Sequence, residues 1–345
     1  MAKVYVGMSG GVDSSLTAAL LKEQGHEVVG VYMKNWTQDL PGMKCPWADD
    51  LADAKRVAVQ LGIDFKVFDF ENEYKHKVVD YMIEEYKLGR TPNPDIMCNQ
   101  EVKFKLFLET ALEDGADMIA TGHYARVEDG VLKQAVDMNK DQTYFLYRVT
   151  EEALKKTLFP LGELTKPKVR EMAEERGLYT AAKKDSQGIC FVGQIGIREF
   201  LSQYVEQTAG SIIDKKSGKI LGQHDGAIFY TIGQRHGLDL GGGLPYYVVG
   251  KDMAKNEVYI TTDLNDDSLW KPELTLTSIH WINDQPTEGD YAIRVRHRAP
   301  LADAHLTYVG DGLRLDLKNP ERAVAAGQSV VIYKGDICLG GGIVS

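Results

Sequence analysis

Three short stretches of this sequence carry residue types that could act chemically together. The first, GMSGGVDSS from Gly7 to Ser15, groups glycines, hydroxyls and one carboxylate. Glycines let backbone N–H groups curl inward, and Ser9, Ser14 and Ser15 add hydroxyl donors at the start of a helix, so the stretch makes a cradle for an anion. It lacks the lysine of a G-x-x-x-x-G-K-[ST] phosphate loop, and G-x-G-x-x-G does not fit it either. The second, TPNPDIMC from Thr91 to Cys98, has two prolines that fix the backbone around Asn93 and present Asp95 and Cys98 three residues apart. A helix is expected from Glu101, and a nearby helix amino terminus favours a thiolate on Cys98. The third, SQGICFVG from Ser186 to Gly193, follows Lys183 and Lys184, cations that would stabilise a thiolate on Cys190. Taken singly, each also reads blandly: a capped turn, a proline turn over a buried cysteine, a small core residue between Ile189 and Phe191.

Together they describe a specific reaction. A carbonyl oxygen is a poor leaving group, but once it carries AMP, as the resemblance of SGGVDSS to the PP-loop of ATP pyrophosphatases implies, it leaves readily. A persulfide on one cysteine can then deliver sulfur while a second cysteine resolves the disulfide. Asp95 is placed to act beside Cys98 as general acid or base. A second arrangement stays open, in which Asp95, Cys98 and Cys190 ligate an iron–sulfur cluster whose open iron binds sulfide, although the usual clusters prefer four thiolates at closer spacing. The four cysteines include no CxxC pair and no zinc-ligand spacing, and Cys45 and Cys338 read as structural.

The elements that must position these stretches follow from the apolar patterning. KVYVGM (residues 3–8) is a strand that ends at the glycine cluster, and a helix follows through Leu16, Leu20 and Leu21. HEVVGVYM (26–33), a helix from Asp49 to Leu61 closed by Gly62, the strand DFKVFDF (64–70) and the strand DMIATGHYARV (117–127) continue the alternation. Strands alternating with helices imply a doubly wound parallel sheet, whose carboxyl ends bring Thr121-Gly122-His123 to the same edge as the first loop. Beyond residue 205 short alternating runs (GAIFYTI, YYVVG, NEVYITT, YAIRVRHR, LRLDL, SVVIYKG) predict two small β domains, the last a β-barrel, with a boundary near Pro272. The expected division is 1–204, 205–270 and 271–345.

At 345 residues, 43% hydrophobic and 26% charged, the chain reads as a multidomain globular protein. No run approaches the roughly 18 apolar residues of a membrane helix, and no signal-peptide core precedes the first glycines, so no membrane partner and a cytoplasmic location are expected. A net charge of -10 argues mildly against nucleic acid, yet basic residues gather in KPKVR (166–170), AAKKD and RVRHR (294–298), leaving room for a local phosphate footprint. Arg294, Arg296 and Arg298 alternate, which on a strand would set them on one face.

SGGVDSS resembles the PP-loop of ATP pyrophosphatases, which split ATP between its α and β phosphates and leave AMP on a carbonyl oxygen; in that resemblance Asp13 helps hold magnesium. Across nearly the whole chain, GMSGGVDSS, MKNW (33–36), TPNPDIMCN, ATGHYAR, KDQTYFL (140–146), DSQGICF, YTIGQRHGL (230–238) and CLGGGIV (338–344) occur in the order seen in bacterial tRNA-specific 2-thiouridylases, which the sequence therefore resembles. The resemblance implies thiolation at position 2 of the wobble uridine, with tRNA and a persulfide-carrying donor protein as partners and ATP with Mg2+ as cofactors. It implies ATP contacts at Gly7, Met8, Ser9, Gly10, Gly11, Val12, Asp13, Ser14, Met33 and Gly122. It also implies Cys98 as nucleophile, Cys190 as persulfide carrier, and Asn93, Pro94 and Asp95 facing the base. His123, Lys140, Asp141, Gln142, Arg296, His297 and Gln328 fall where that family touches tRNA. Two competing functions remain: a PP-loop ligase or amidotransferase, which needs no thiols, and a nucleotide-sensing RNA-binding module without turnover.

Overall fold

A computed structural model describes residues 1–39, 45–185, 196–241 and 244–345. The SQGICFVG stretch with Cys190 lies outside the described residues.

Five parallel strands form the first sheet, in the order β3-β2-β1-β4-β7: β1 (Lys3–Gly7), β2 (Glu27–Lys34), β3 (Asp64–Asp69), β4 (Met118–Ala120) and β7 (Thr157–Leu158). Val4 and Tyr5 of β1 pair with Val28 and Val29 on one side and with Met118 and Ile119 on the other. A strand flanked on both edges and covered on both faces has no use for polar side chains, and Val4, Tyr5 and Val6 are fully buried. Helix α1 (Val12–Glu23) follows β1 directly, and α2 (Trp47–Leu61) ends where Gly62 takes a left-handed conformation, φ 58° and ψ 47°. The Gly62 and Ile63 N–H groups then satisfy the last carbonyls of α2, at Val59 and Ala58.

The run Asp117–Val127, expected as one strand, is two. It breaks at Thr121–Tyr124, after which the hairpin β5 (Ala125–Glu128) and β6 (Val131–Gln134) leaves the parallel sheet. The hairpin instead joins the carboxyl-terminal sheet, where β6 pairs with β17 (Ile337–Val344) and the Gln134 N–H donates to the Asp336 carbonyl. Apolar patterning is continuous through the break, so nothing in the periodicity signalled a change of sheet.

The middle of the chain carries a four-stranded sheet ordered β10-β11-β8-β9, from β8 (Gly210–Asp214), β9 (Ile220–His224), β10 (Tyr247–Asp252) and β11 (Glu257–Thr261). GAIFYTI, expected as a strand, is instead a single helical turn at Ala227–Phe229 followed by irregular chain. Ala227, Ile228, Phe229 and Tyr230 are all buried in one apolar cluster with Phe200 and Val248, so consecutive residues face the core where a strand would alternate.

The carboxyl-terminal strands close on themselves: β12 (Trp270–Trp281), β15 (Gly312–Arg322), β14 (Ala302–Val309), β13 (Gly289–Arg294), β16 (Ser329–Lys334) and β17 (Ile337–Val344), with β17 returning to β12. Leu274, Leu276, Ile293, Leu306, Leu313, Leu315, Val330 and Ile332 fill the interior, as alternate positions of a closed barrel require. Pro272, offered as a boundary, lies inside β12 at a register shift between Lys271 and Glu273, where the ladder needs no N–H.

Candidate active site at the carboxyl edge of the parallel sheet

Strand β1 sends the chain to β2 on one side, while β4 arrives on the other, so the crevice for a ligand lies above β1 and β4. The amino end of α1 points into it. Gly11 caps that helix without a side-chain bond, leaving the first N–H groups available to an anion. Gly10, at φ +73°, presses on α2: a Cβ there would sit 2.4 Å from the Asp50 carbonyl oxygen. A Cβ on Gly7 would meet Met33 Cε at 2.9 Å, and one on Gly122 would meet the Ser14 nitrogen at 2.8 Å. Gly7 and Met33 thus pack together at the ends of β1 and β2, while Gly122, just past β4, packs against the start of α1. Within the loop Ser9 and Ser14 hydroxyls are 3.3 Å apart, while the Met8 and Val12 side chains are buried, so those two residues offer backbone alone.

A charge network that sequence reasoning missed borders this corner. Asp13 Oδ1 accepts from the Tyr124 hydroxyl at 2.8 Å and from Lys166 Nζ at 2.6 Å. Lys166 also lies 2.9 Å from Asp185, which Lys140 and Arg170 approach at 2.7 and 2.6 Å. Burial pushes the Asp185 carboxyl up, but the hydrogen bonds and charges of Lys140 and Lys166 outweigh it and pull it down to about 2. Burial, then the Asp13 charge and hydrogen bond, raises the Tyr124 phenol far above its ordinary value. KPKVR, offered above as a surface footprint, is therefore corrected in part: Lys166 is buried and, with Arg170, turns toward these carboxylates. The signal was the lysine lacking from the loop, whose charge had to come from another part of the chain. Among the described residues no group of three His, Cys, Asp or Glu side chains could hold a metal ion. Asp13 supplies one carboxylate, which suits Mg2+ arriving on a nucleotide's phosphates.

The turn bearing Cys98 is a helix start. Asn93 Oδ1 accepts from the Asp95 and Ile96 N–H groups at 3.1 and 3.3 Å, and Pro94 occupies the first helical position. The helix begins there, not at Glu101, and runs to Glu113, with a π-helical middle over Cys98–Leu106. Asp95 and Cys98 stand one turn apart. Cys98 is 2% exposed and shares an apolar cluster with Trp36, Ile96 and Val102. Burial raises the Asp95 carboxyl, with Lys103 pulling weakly the other way. Asn99 donates to the Phe145 carbonyl at 3.0 Å.

The residues expected at tRNA are placed in different settings. His123 is buried between Phe104 and Phe159, ring centroids 5.5 and 6.2 Å away, with Nδ1 2.8 Å from the Thr121 hydroxyl. Burial, and then Lys103, holds it well below the ordinary histidine range. Asp141 is buried too, accepting from the Ala135 N–H, the Thr143 hydroxyl and Arg294. Both side chains are largely shielded from solvent in this conformation. Lys140 is spent on Asp185, and Gln142 accepts from the Tyr124 N–H at 2.9 Å. Arg296 is exposed and donates to the Arg322 carbonyl, His297 packs on Phe145 at 4.5 Å, and Gln328 accepts from the Ala325 N–H at 2.9 Å. The shared face expected for Arg294, Arg296 and Arg298 does not form. β13 ends at Arg294, which turns inward, and the chain bends so that Arg298 takes φ +62°. The expected meeting of Cys98 with Cys190 lies outside the described residues.

Among the described residues, no helix is long and apolar enough to cross a membrane. Three family models match in series: tRNA methyl transferase HUP domain over 2–194, tRNA methyl transferase PRC-barrel domain over 198–262, and aminomethyltransferase beta-barrel domain over 271–344. The chain is 48% identical to the tRNA-specific 2-thiouridylase MnmA of Chromobacterium violaceum over 99% of its own length and 92% of that protein's. With the protein of the same name from Bacillus cytotoxicus it shares 47% identity, over 99% and 94%. Among solved structures it aligns with a 4-thiouridine synthetase–RNA complex with bound ATP at TM-score 0.40 and 19% identity, over 59% of this chain and 50% of that one, a likeness too slight to carry weight.

Proposed function

The chain belongs to the tRNA-specific 2-thiouridylases, and from that premise we propose how its residues divide the work. The reaction is ATP-dependent thiolation of tRNA, in which sulfur replaces oxygen 2 of the wobble uridine. One observation carries the reading: Gly122 packs against Asp13 and Ser14 at the amino end of α1, and Gly7 against Met33 at the ends of β1 and β2, bordering a crevice where a nucleotide's phosphates can face the first N–H groups of the helix.

The uridine oxygen attacks the α phosphorus, the bond to the β phosphate breaks, and pyrophosphate leaves. Asp95 takes the uridine N3 proton as the oxygen becomes bonded to AMP, and its raised carboxyl makes it a better base than an ordinary aspartate. Magnesium bound to the phosphates would neutralise their charge, with Asp13 as its one protein carboxylate. Lys166, exchanging Asp13 for the departing pyrophosphate, supplies the cation that the loop lacks.

Sulfur comes next. The terminal sulfur of a persulfide on Cys190, loaded by a persulfide-carrying donor protein, attacks C2, and AMP leaves with the oxygen. The Cys98 thiolate attacks the Cys190 sulfur; the S–S bond to the uridine's sulfur breaks, 2-thiouridine regains its N3 proton from Asp95, and a Cys98–Cys190 disulfide remains for a thiol reductant to reopen. Cys98 is buried in the free protein, so this step requires the turn to open. Asn93 and Pro94 face the base, and Lys140, Gln142, Arg296, His297 and Gln328 border the tRNA, with His123 and Asp141 joining only after rearrangement. We place the domains at 1–204, 205–270 and 271–345, and the protein in the cytoplasm.

Incubation with unmodified tRNA, labelled ATP and a persulfide source, followed by nucleoside mass analysis, tests the reading. 2-Thiouridine and one pyrophosphate per turnover are expected from the unaltered protein, and neither Cys98→Ser nor Cys190→Ser should give 2-thiouridine. Pyrophosphate release without 2-thiouridine from the unaltered protein, undiminished in both variants, would leave a thiol-independent ligase as the better account. Colourless protein treated with a chelator, desalted and resupplied with Mg2+ alone should remain active; loss of activity there would favour the iron–sulfur arrangement of Asp95, Cys98 and Cys190.

A further inference from the structure

The turn Asn93–Asn99 is held at its start by one end of the barrel and at its finish by Phe145, a residue outside the barrel that packs on the same end. At its start, the Thr91 N–H donates to the Ala326 carbonyl at 2.8 Å. Gly327, at φ +87°, lies so close that a Cβ there would be 2.8 Å from both the Thr91 nitrogen and Arg90 Cβ. At its finish, Asn99 donates to the Phe145 carbonyl, and the Phe145 ring lies 4.5 Å from His297. The four-stranded sheet's module adds to the first hold: the Thr91 and Thr231 hydroxyls are 3.4 Å apart, and a Cβ on Gly89 would be 2.7 Å from Met253. Between these holds sits Cys98, 2% exposed.

The two barrel loops that make the clamp, around 295–298 and 325–328, are also those that carry Arg296, His297 and Gln328. We propose that Thr91 and Phe145 are positioning residues through which the barrel keeps the Cys98 turn closed, so that tRNA seating on these loops and exposure of the Cys98 thiol are linked. A ligand can shift such an equilibrium only by binding one state better than the other. Here the differential contacts are available, because the same loops that would grip phosphates also cover the turn. The importance given to Cys98 rests on the thiolation reading; the clamp itself does not.

The test reads Cys98 alkylation by peptide mass mapping, without tRNA or ATP, in Gly327→Ala, Phe145→Ala and a control, Gly335→Ala. Gly335 has φ +62° in the same barrel, with nothing near its would-be Cβ, so it places an alanine at a positive φ without touching the clamp. Cys338, buried in the barrel, reports loosening of the whole module. Cys98 labelling at least fivefold faster in Gly327→Ala and Phe145→Ala than in Gly335→Ala, with Cys338 protected throughout, is the expected result. Thiolation kcat should fall in the same two variants while KM for ATP holds. Equal Cys98 labelling in all three, or Cys338 labelling that rises in step with Cys98, would overturn the clamp. An unaltered protein that makes no 2-thiouridine would sink the functional reading alone, since the labelling comparison needs no substrate.

Discussion

Asp141 and Arg294, 153 positions apart, form a buried ion pair at 2.9 Å that joins the parallel-sheet region to the barrel. Arg294 also lies over the Tyr333 ring, and the Thr143 hydroxyl donates to Asp141 while lying 3.2 Å from the Tyr333 hydroxyl. Removing one partner would strand the other charge away from water. Arg294→Ala should therefore cost about 3–5 kcal/mol in urea unfolding, and Asp141→Asn with Arg294→Met should recover a large share of it. A single-variant loss below about 1 kcal/mol, the range of exposed pairs, would show that the two regions are held by other contacts.

Gly122 touches the helix end that should bind phosphate. Gly122→Ala would push a methyl group against the Ser14 nitrogen, so KM for ATP should rise at least tenfold, about 1.4 kcal/mol, while tRNA affinity holds. Unchanged ATP affinity would place the nucleotide elsewhere.

Lys166 should matter to chemistry more than to binding. Lys166→Ala is expected to slow pyrophosphate release on the order of 10²-fold, by analogy with losing one transition-state donor, with partial recovery in Lys166→Arg. Lys168, exposed and paired with Glu171, is the neighbouring control and should change nothing. Equal effects at both positions would reduce Lys166 to a structural ion pair.

His123 makes stability fall on the acid side. Its folded pKa lies well below 6.5, so below pH 6.5 the unfolded chain takes up a proton that the buried ring refuses. More protons bound when unfolded means that stability rises with pH; the contribution is complete above about 6.5 and drains by up to about 1.4 kcal/mol per unit below it. Asp185, lowered to about 2 in the fold, acts in the same direction but only below its ordinary range. Urea midpoints at pH 7 and pH 5 should therefore differ less in His123→Leu than in the unaltered protein. An identical slope would mean that the ring is protonated in place.

The residue string itself determined the strand–loop–helix around GMSGGVDSS, the alternation of strands and helices that makes a parallel sheet, and the barrel at the carboxyl end. These depend on periodicity and on glycine's conformational range, properties that neighbours in sequence express together. It also singled out Asp95 and Cys98 by their proline-fixed spacing, while misplacing the helix start, because Pro94 reads equally as a turn residue and as a first helical residue. Tertiary structure alone decided that Lys166 meets Asp13, that Arg294 turns inward to Asp141, and that His123 is stowed between two phenylalanines. A charge in a sequence carries no sign of its burial. Whether it faces water or a partner depends on which distant segment folds against it, and that is settled when sheet and barrel pack together.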